Sequence, residues 1–270
     1  MVKRIESRNN PTIKNISALR DKREREAQRC FYFEGVHLLE EFLKVGNRPK
    51  ILFVREDVFG KYSALIEQAD CEVFEVTESV YSKLTEEKAP QGIFTVAEYV
   101  NNVVFVENAA SCQALLQGVN RNSIMLVDLQ DNGNVGTVVR TATALDCPVL
   151  LCGSCADVFS PKTVRATMGA LFTGDIFVCP DTVGTVNALK SADVRVIAAA
   201  LNENAYTLSD FEIKGNDVFA VGNEGRGLPA EVIEACSMTA IIPMSGKTES
   251  LNAAIASAIL LWEAKRGRMQ

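Results

Sequence analysis

The sequence predicts an α/β protein. Its larger C-terminal part is a mainly parallel sheet with helices on both faces, and a smaller α/β part precedes it. Three observations carry this. Apolar strand-like runs alternate with helix-period segments throughout. The alternation closes near residue 98 and restarts at 111. Three loops rich in Asn and Gly each follow an apolar run and lead into a helix. Parallel strands need long crossovers, usually helical, so strict alternation points to parallel pairing.

Residues 11–29 read as a helix opened by Pro11, with Ile13, Ile16 and Leu19 on one face. Strands follow at 31–33, 51–54, 71–76 and 93–97, separated by helices at 35–45, 58–69 and 79–85. Pro90-Gln91-Gly92 turns the chain into the last of these strands. Residues 1–98 therefore form one domain, and 99–110, with adjacent asparagines and weak periodicity, form a linker; Val103 to Val106 has strand character. The second domain, 111–270, opens with a short helix. Strands are expected at 123–129, 149–152, 175–179, 195–200, 217–221 and 239–242. Helices are expected at 134–145, about 161–170, 183–190, 228–236 and 250–266.

At 270 residues, with 47% hydrophobic and 23% charged residues, the chain can bury a large core, and disorder is not expected. No apolar run is long enough to cross a membrane, and the start MVKRIESRNN lacks the apolar core of a signal peptide, so the cytoplasm is the expected location. Eight cysteines are scattered, and Cys152-Gly153-Ser154-Cys155 has no second pair at zinc spacing. With His37 the single histidine, neither a metal site nor a Ser-His-Asp triad is expected. Net charge is −6, yet residues 1–29 hold nine Lys/Arg against four acids. That concentration reads as a phosphate footprint, or else as a salt-bridged helix.

The chemistry gathers in the three loops. The first runs from Asp128 through Asn132-Gly133-Asn134 to Arg140; Asn134 is placed to cap the helix, and Arg140 suits a contact to phosphate or ribose. The second, Val221-Gly222-Asn223-Glu224-Gly225-Arg226-Gly227, packs three glycines into six residues, which implies very close backbone approach. No Lys-Ser/Thr follows, so it is not a Walker loop, and Glu224 suits a hydroxyl better than a phosphate. The third runs Ile242-Pro243-Met244 to Ser250-Leu251-Asn252, where Ser250 and Asn252 fall at a helix N-terminus. All three sit at carboxyl ends of strands, where open α/β sheets bind ligands.

In order and spacing these loops resemble the three motifs of the SpoU branch of the SPOUT superfamily, RNA ribose 2′-O-methyltransferases. The N-terminal part (Asn10-Pro11, Phe33-Glu34-Gly35, Pro90-Gln91-Gly92) is similar to the L30e-like RNA-binding domain of one subgroup. The resemblance implies a trefoil knot in the C-terminal domain, a homodimer, and S-adenosylmethionine as cofactor. By position it implies cofactor contacts at Leu201, Asn202, Gly222, Asn223, Ile242 and Leu251. Asn134, Arg140, Glu224, Ser250 and Asn252 match the family's catalytic or structural polar positions.

The function expected is transfer of a methyl group to a ribose 2′-hydroxyl of structured RNA, more plausibly ribosomal than transfer RNA. Arg140, with its high pKa, is an awkward base and is favoured as a clamp on ribose or phosphate, supplied within the chain or across a dimer; a role as base, helped by the phosphate, is the competing reading. Two rivals stand beside this. One is an RNA-binding protein that keeps the fold without turnover, which the retained Asn134, Arg140 and Asn252 disfavour. The other is a Rossmann-type enzyme acting on a small metabolite, which lacks its first-strand GxGxxG here.

Overall fold

A computed structural model of the chain describes residues 2–201, 205–245 and 250–266. Up to residue 100 it contains β1 (Val2–Ile5), α1 (Pro11–Ala18), α2 (Lys22–Gln28), β2 (Cys30–Glu34), α3 (Val36–Lys44), β3 (Ile51–Arg55), α4 (Ser63–Ala69), β4 (Glu72–Val76), α5 (Glu78–Leu84) and β5 (Ile93–Glu98). The middle holds β6 (Val103–Phe105), α6 (Ala109–Gly118), β7 (Ser123–Val127), α7 (Asn132–Ala144), β8 (Val149–Cys152) and α8 (Pro161–Thr167). The rest is β9 (Ile176–Cys179), α9 (Thr182–Ser191), β10 (Val196–Ala199), β11 (Tyr206–Thr207), β12 (Val218–Val221), α10 (Ala230–Ala235), β13 (Met238–Ile241) and α11 (Ala253–Arg266).

Two compact units result: residues 1–100 with 157–172, and 101–156 with 173–270. The first is built on the sheet β1-β4-β3-β5-β2, parallel across β1, β4 and β3 and antiparallel at β5. The helix expected over 11–29 is two helices, because the Asp21 carboxylate accepts from Arg23 N at 2.8 Å and starts a new one. Strand β1 escaped the sequence reading because only Ile5 of its four residues is buried, which leaves no apolar alternation.

Residues 157–172 differ most from the sequence reading, which placed them in the C-terminal domain. Phe31 and Phe33 of β2 and Phe42 of α3 form an aromatic cluster that Phe159 and Phe172 complete, with ring centroids 4.9 Å apart for Phe31–Phe159 and for Phe42–Phe172. Tilted and edge contacts of this kind add to the area they bury. Asp157 anchors the segment: it accepts two hydrogen bonds from Arg25, at 2.5 and 3.1 Å, and Arg25 also donates to the Leu19 and Arg20 carbonyls. Arg25 is 3% exposed. Removing one member of a buried pair strands the other. Arg25→Ala is therefore expected to cost about 3–5 kcal/mol, read as a lower urea midpoint. An unchanged midpoint would show that water replaces the guanidinium.

The N-terminal basic cluster is largely spent within this unit. Lys3 pairs with Glu72, Arg4 with Glu6, Glu56 and Glu75, Arg20 with Glu86, Lys22 with Glu26, and Arg25 with Asp157. Most of those acids are remote in sequence, so a count over residues 1–29 alone does not show which of these cations are paired. The Phe33-Glu34-Gly35 and Pro90-Gln91-Gly92 motifs meet. Gln91 Oε1 accepts from Val36 N at 2.8 Å, and the Glu34 carboxylate accepts from Thr85 Oγ1 at 2.6 Å, with burial raising its pKa.

In the second unit every recorded pair of the sheet β11-β13-β10-β12-β7-β8-β9-β6 is parallel, as the alternation implied. Strand β6 lies within 99–110, the stretch read as a linker, and pairs with β9. On one face Met125, Val127, Leu150, Cys152, Val196, Ala198, Val218 and Ala220 pack with residues of α6, α9 and α10. The alternate positions Ile124, Leu126, Ile197 and Phe219 are equally buried and face α7 and α11, which pack on each other and on β7. Of the CxxC motif, Cys152 is buried in the core and Cys155 is half-buried. Cys152 pairs in register with Cys179, and the Cys155 sulfur lies 3.3 Å from two carbonyl oxygens. Burial pushes the Cys155 thiol up to about 11, so it stays protonated near neutral pH. No described helix is long and apolar enough to cross a membrane.

Candidate active site

The carboxyl ends of β10, β12 and β13 are in register: Ala198 pairs with Ala220 and Ala199 with Ala240. The loops that leave them therefore open on the same side of the sheet. Together with the start of α11 they enclose a cavity of about 380 Å³, in the range of small-molecule sites. Its walls run from Ala199 to Leu201, from Val221 to Leu228 apart from Gly225, from Ala240 to Met244 apart from Pro243, and include Ser250 and Leu251.

The second loop is a tight hairpin. Asn223 N donates to Gly227 O at 3.2 Å, and Gly227 N returns a bond to Asn223 O at 2.8 Å. The Asn223 side chain is committed to that shape: Nδ2 donates to the Asp128 carbonyl at 3.0 Å and Oδ1 accepts from Gly225 N at 2.9 Å. Asp128 itself has φ +54°, a strained left-handed conformation that turns its carbonyl toward Asn223. A Cβ on Gly222 would overlap the backbone of Gly227 and Leu228. The hairpin closes only because that atom is missing.

Three polar side chains form a directed chain beside the cavity. Asn252 caps α11, its Oδ1 accepting from Ala254 N at 2.9 Å and Ile255 N at 3.2 Å. With Oδ1 occupied, Nδ2 points outward and donates to Asn134 Oδ1 at 3.1 Å. Asn134 Nδ2 then donates to Glu224 Oε1 at 2.5 Å. The backbone cap thus sets the amide orientation of both asparagines, and the three motifs meet in one network. Two expectations change here. Asn134 is not the cap of α7; Asp131 is, accepting from Asn134 N at 2.7 Å, which frees the Asn134 amide for Glu224. Nor is Ser250 the cap of α11. It lines the cavity and has no hydrogen-bond partner among the described residues.

Of the cofactor positions expected from sequence, Leu201, Gly222, Asn223, Ile242 and Leu251 all line the cavity; Asn202 lies outside the described residues. Glu224 and Ser250 line it too. Arg140 is not brought to it. Six residues beyond Asn134 on α7, it sits about 9 Å along the axis and well round the helix, exposed, with no partner among the described residues. Sequence reasoning passed over Asp128, whose positive φ leaves no local signal, and Asp131, an Asx residue directly before a helix that could have been read as its cap.

Asn252 serves both a helix and the network, and substitution separates the two. Asn252→Ala should lower thermal stability by about 1 kcal/mol, while Asn252→Ser keeps a cap and should lose only a few tenths. Both lose the donor to Asn134. If catalysis uses the network, both variants lose turnover equally despite their different melting temperatures.

A cavity walled by apolar side chains and backbone, with a carboxylate and a chain of amides at its edge, suits a nucleoside-containing cofactor beside a hydroxyl-bearing substrate. Comparison with known proteins agrees. Residues 121–262 match the SpoU rRNA Methylase family, and residues 10–95 match the MRM3-like substrate binding domain. A 23S rRNA (guanosine(2553)-2′-O)-methyltransferase of Bacillus subtilis is 34% identical over 266 residues, 97% of this chain and 98% of its own. A 23S rRNA (guanosine-2′-O-)-methyltransferase of Acinetobacter baylyi is 27% identical over 246 residues, 88% of this chain and 98% of its own. Among solved structures, the AdoMet-bound rRNA methyltransferase from Sinorhizobium meliloti superposes with a TM-score of 0.84 at 31% identity, covering 100% of this chain and 99% of that one.

Proposed function

Because the chain belongs to the SpoU rRNA methylase family, we propose that it methylates a ribose 2′-hydroxyl of 23S ribosomal RNA, with S-adenosylmethionine as methyl donor. The observation that carries this reading is the Asn252–Asn134–Glu224 chain at the edge of the cavity. The residues fit the cofactor. Backbone from three strand ends and the apolar side chains Leu201, Ile242, Met244 and Leu251 form much of the slot, with Arg226 on its exposed side. When bound, S-adenosylmethionine supplies an activated methyl group on sulfur.

What the protein adds is alignment and proton management. Methyl transfer is an in-line displacement, so fixing the attacking oxygen contributes much of the rate. Asn134 holds Oε1 of Glu224, leaving Oε2 to accept a hydrogen bond from the ribose. Ser250, whose hydroxyl has no partner among the described residues, is the second group placed to touch that hydroxyl or the cofactor. Asn252 orients Asn134. Arg140 clamps the ribose or its phosphate.

Since Arg140 does not line the cavity of its own chain, the clamp is assigned to a second copy. The homodimer has a face ready for it. Ile255, Ile259 and Trp262 lie at helical spacing on α11, at 53%, 37% and 51% exposure, and α11 packs on the helix that carries Arg140. The trefoil knot belongs to the same reading. β13 is separated from β7 by β10 and β12, and α11, which follows β13, packs back on β7 and β12. The 10–95 domain supplies RNA binding, and the reaction is placed in the cytoplasm.

The test is transfer of labelled methyl from S-adenosylmethionine to total RNA from cells lacking the protein, followed by mapping of alkali-resistant linkages. Label at one ribose of 23S RNA supports the reading. Label in transfer RNA moves the target, and label on a base overturns the hydroxyl chemistry.

A further inference from the structure

The glycine hairpin of the second motif displays two charged side chains, and the network above uses one of them. Glu224 is turned to Asn134. Arg226, two residues on, lines the same cavity from an exposed position and has no hydrogen-bond or ion-pair partner among the described residues. Elsewhere in the unit, described arginines are committed: Arg121 pairs with Asp146 and Asp175, Arg195 with Asp217, and Arg266 with Glu263. Only Arg140 and Arg226 are left open among the described arginines there, and Arg226 alone is at the cavity.

Its backbone is not free to wander. The paired Asn223–Gly227 bonds, the Asn223 side chain on Gly225 N and Asp128 O, and Gly227 at φ +68° fix the loop tip from both sides. A guanidinium on a rigid base loses little further backbone entropy when it meets a ligand. The group most in need of a cation at this place is a phosphate. In RNA the 3′-phosphate is carried on the carbon next to the one bearing the 2′-hydroxyl, so a ribose presented to Glu224 brings a phosphate with it. Glu224 would repel that phosphate unless a positive charge stood beside it, and a planar guanidinium can bind phosphate oxygens in pairs.

We infer that Arg226 binds the phosphate next to the ribose being methylated, so that the site takes an internal nucleotide of a polynucleotide rather than a free nucleoside. The inference rests on the methyltransferase reading above. Arg226 is a substrate-binding residue whose contact is read as salt dependence.

The experiment uses the full chain loaded with S-adenosylhomocysteine and a radiolabelled in vitro transcript of 23S ribosomal RNA. Filter binding is measured over a series of potassium chloride concentrations for the wild type, Arg226→Ala and Arg226→Lys. Cofactor binding is measured separately by calorimetry. Loss of one phosphate contact should weaken RNA binding by about tenfold at low salt and flatten the slope of log K against log salt by about 0.7–0.9. Arg226→Lys should restore the slope and part of the affinity, and cofactor affinity should be unchanged. An unchanged slope in Arg226→Ala, with the wild type still methylating RNA, overturns the contact and leaves the enzyme reading standing. Weakened cofactor binding in that variant overturns it too, by assigning Arg226 to the cofactor's carboxylate. A wild type that neither binds nor methylates the transcript overturns the RNA reading itself, and the contact with it.

Discussion

Arg140→Ala should lower kcat/KM for RNA by about a thousandfold, roughly 4 kcal/mol of transition-state stabilisation. S-adenosylmethionine binding should stay within about twofold of wild type. Arg140 is exposed, has no hydrogen-bond or ion-pair partner among the described residues, and does not line the cavity of its own chain, so neither folding nor the cofactor slot is expected to depend on it. Its proposed work begins only when a second copy presents it. Mixing decides the matter. If the clamp acts across the dimer, an inactive Arg140→Ala chain and an inactive Asn134→Ala chain should regain activity as a heterodimer with one intact site. No recovery in demonstrated mixed dimers would place Arg140 and Asn134 in the service of the same chain's site.

The second large effect is expected at Gly222. An added methyl group meets backbone atoms of Gly227 and Leu228, not the end of a side chain that can swing aside. Gly222→Ala must open the hairpin and break the paired bonds between Asn223 and Gly227. That displaces Glu224 and the cavity wall together. Cofactor binding should weaken by at least about a hundredfold, near 3 kcal/mol, as judged by calorimetry. The cost to folding should be smaller, because the hairpin is largely exposed and β12 before it stays paired on both sides. Tight cofactor binding by a folded Gly222→Ala protein would show that the loop can re-form around a side chain.

Much of this site was legible from residue types. Glycine crowding announced the close approach at 222–227, and strand-end placement announced that three loops share one side of a sheet. What could not be read was which side chain spends itself on the backbone. Asn134, Ser250 and Asn252 each had the chemistry of a helix cap, and only the fold gives the caps to Asp131 and Asn252. That choice decides which amides remain for chemistry. Local charge counting was incomplete for the same reason: Glu56, Glu72, Glu75, Glu86 and Asp157 lie far from residues 1–29 in sequence and pair with Lys3, Arg4, Arg20 and Arg25 in space. The fate of 157–172 was likewise hidden, because a helical period says that a face is buried and does not say against which sheet. Phe159 and Phe172 carry that information only once Phe31, Phe33 and Phe42 are in place.

The α11 start closes the cavity, and Asn252 sets the amide orientations of the whole network, yet these residues belong to the last tenth of the chain. During synthesis the N-terminal unit and most of the large sheet emerge and fold first. Without residues 250–266, Asn134 has no donor from Asn252 and the slot lacks a wall. Stop codons that remove only the final helix should yield polypeptides with nearly all of their sheet and none of their chemistry.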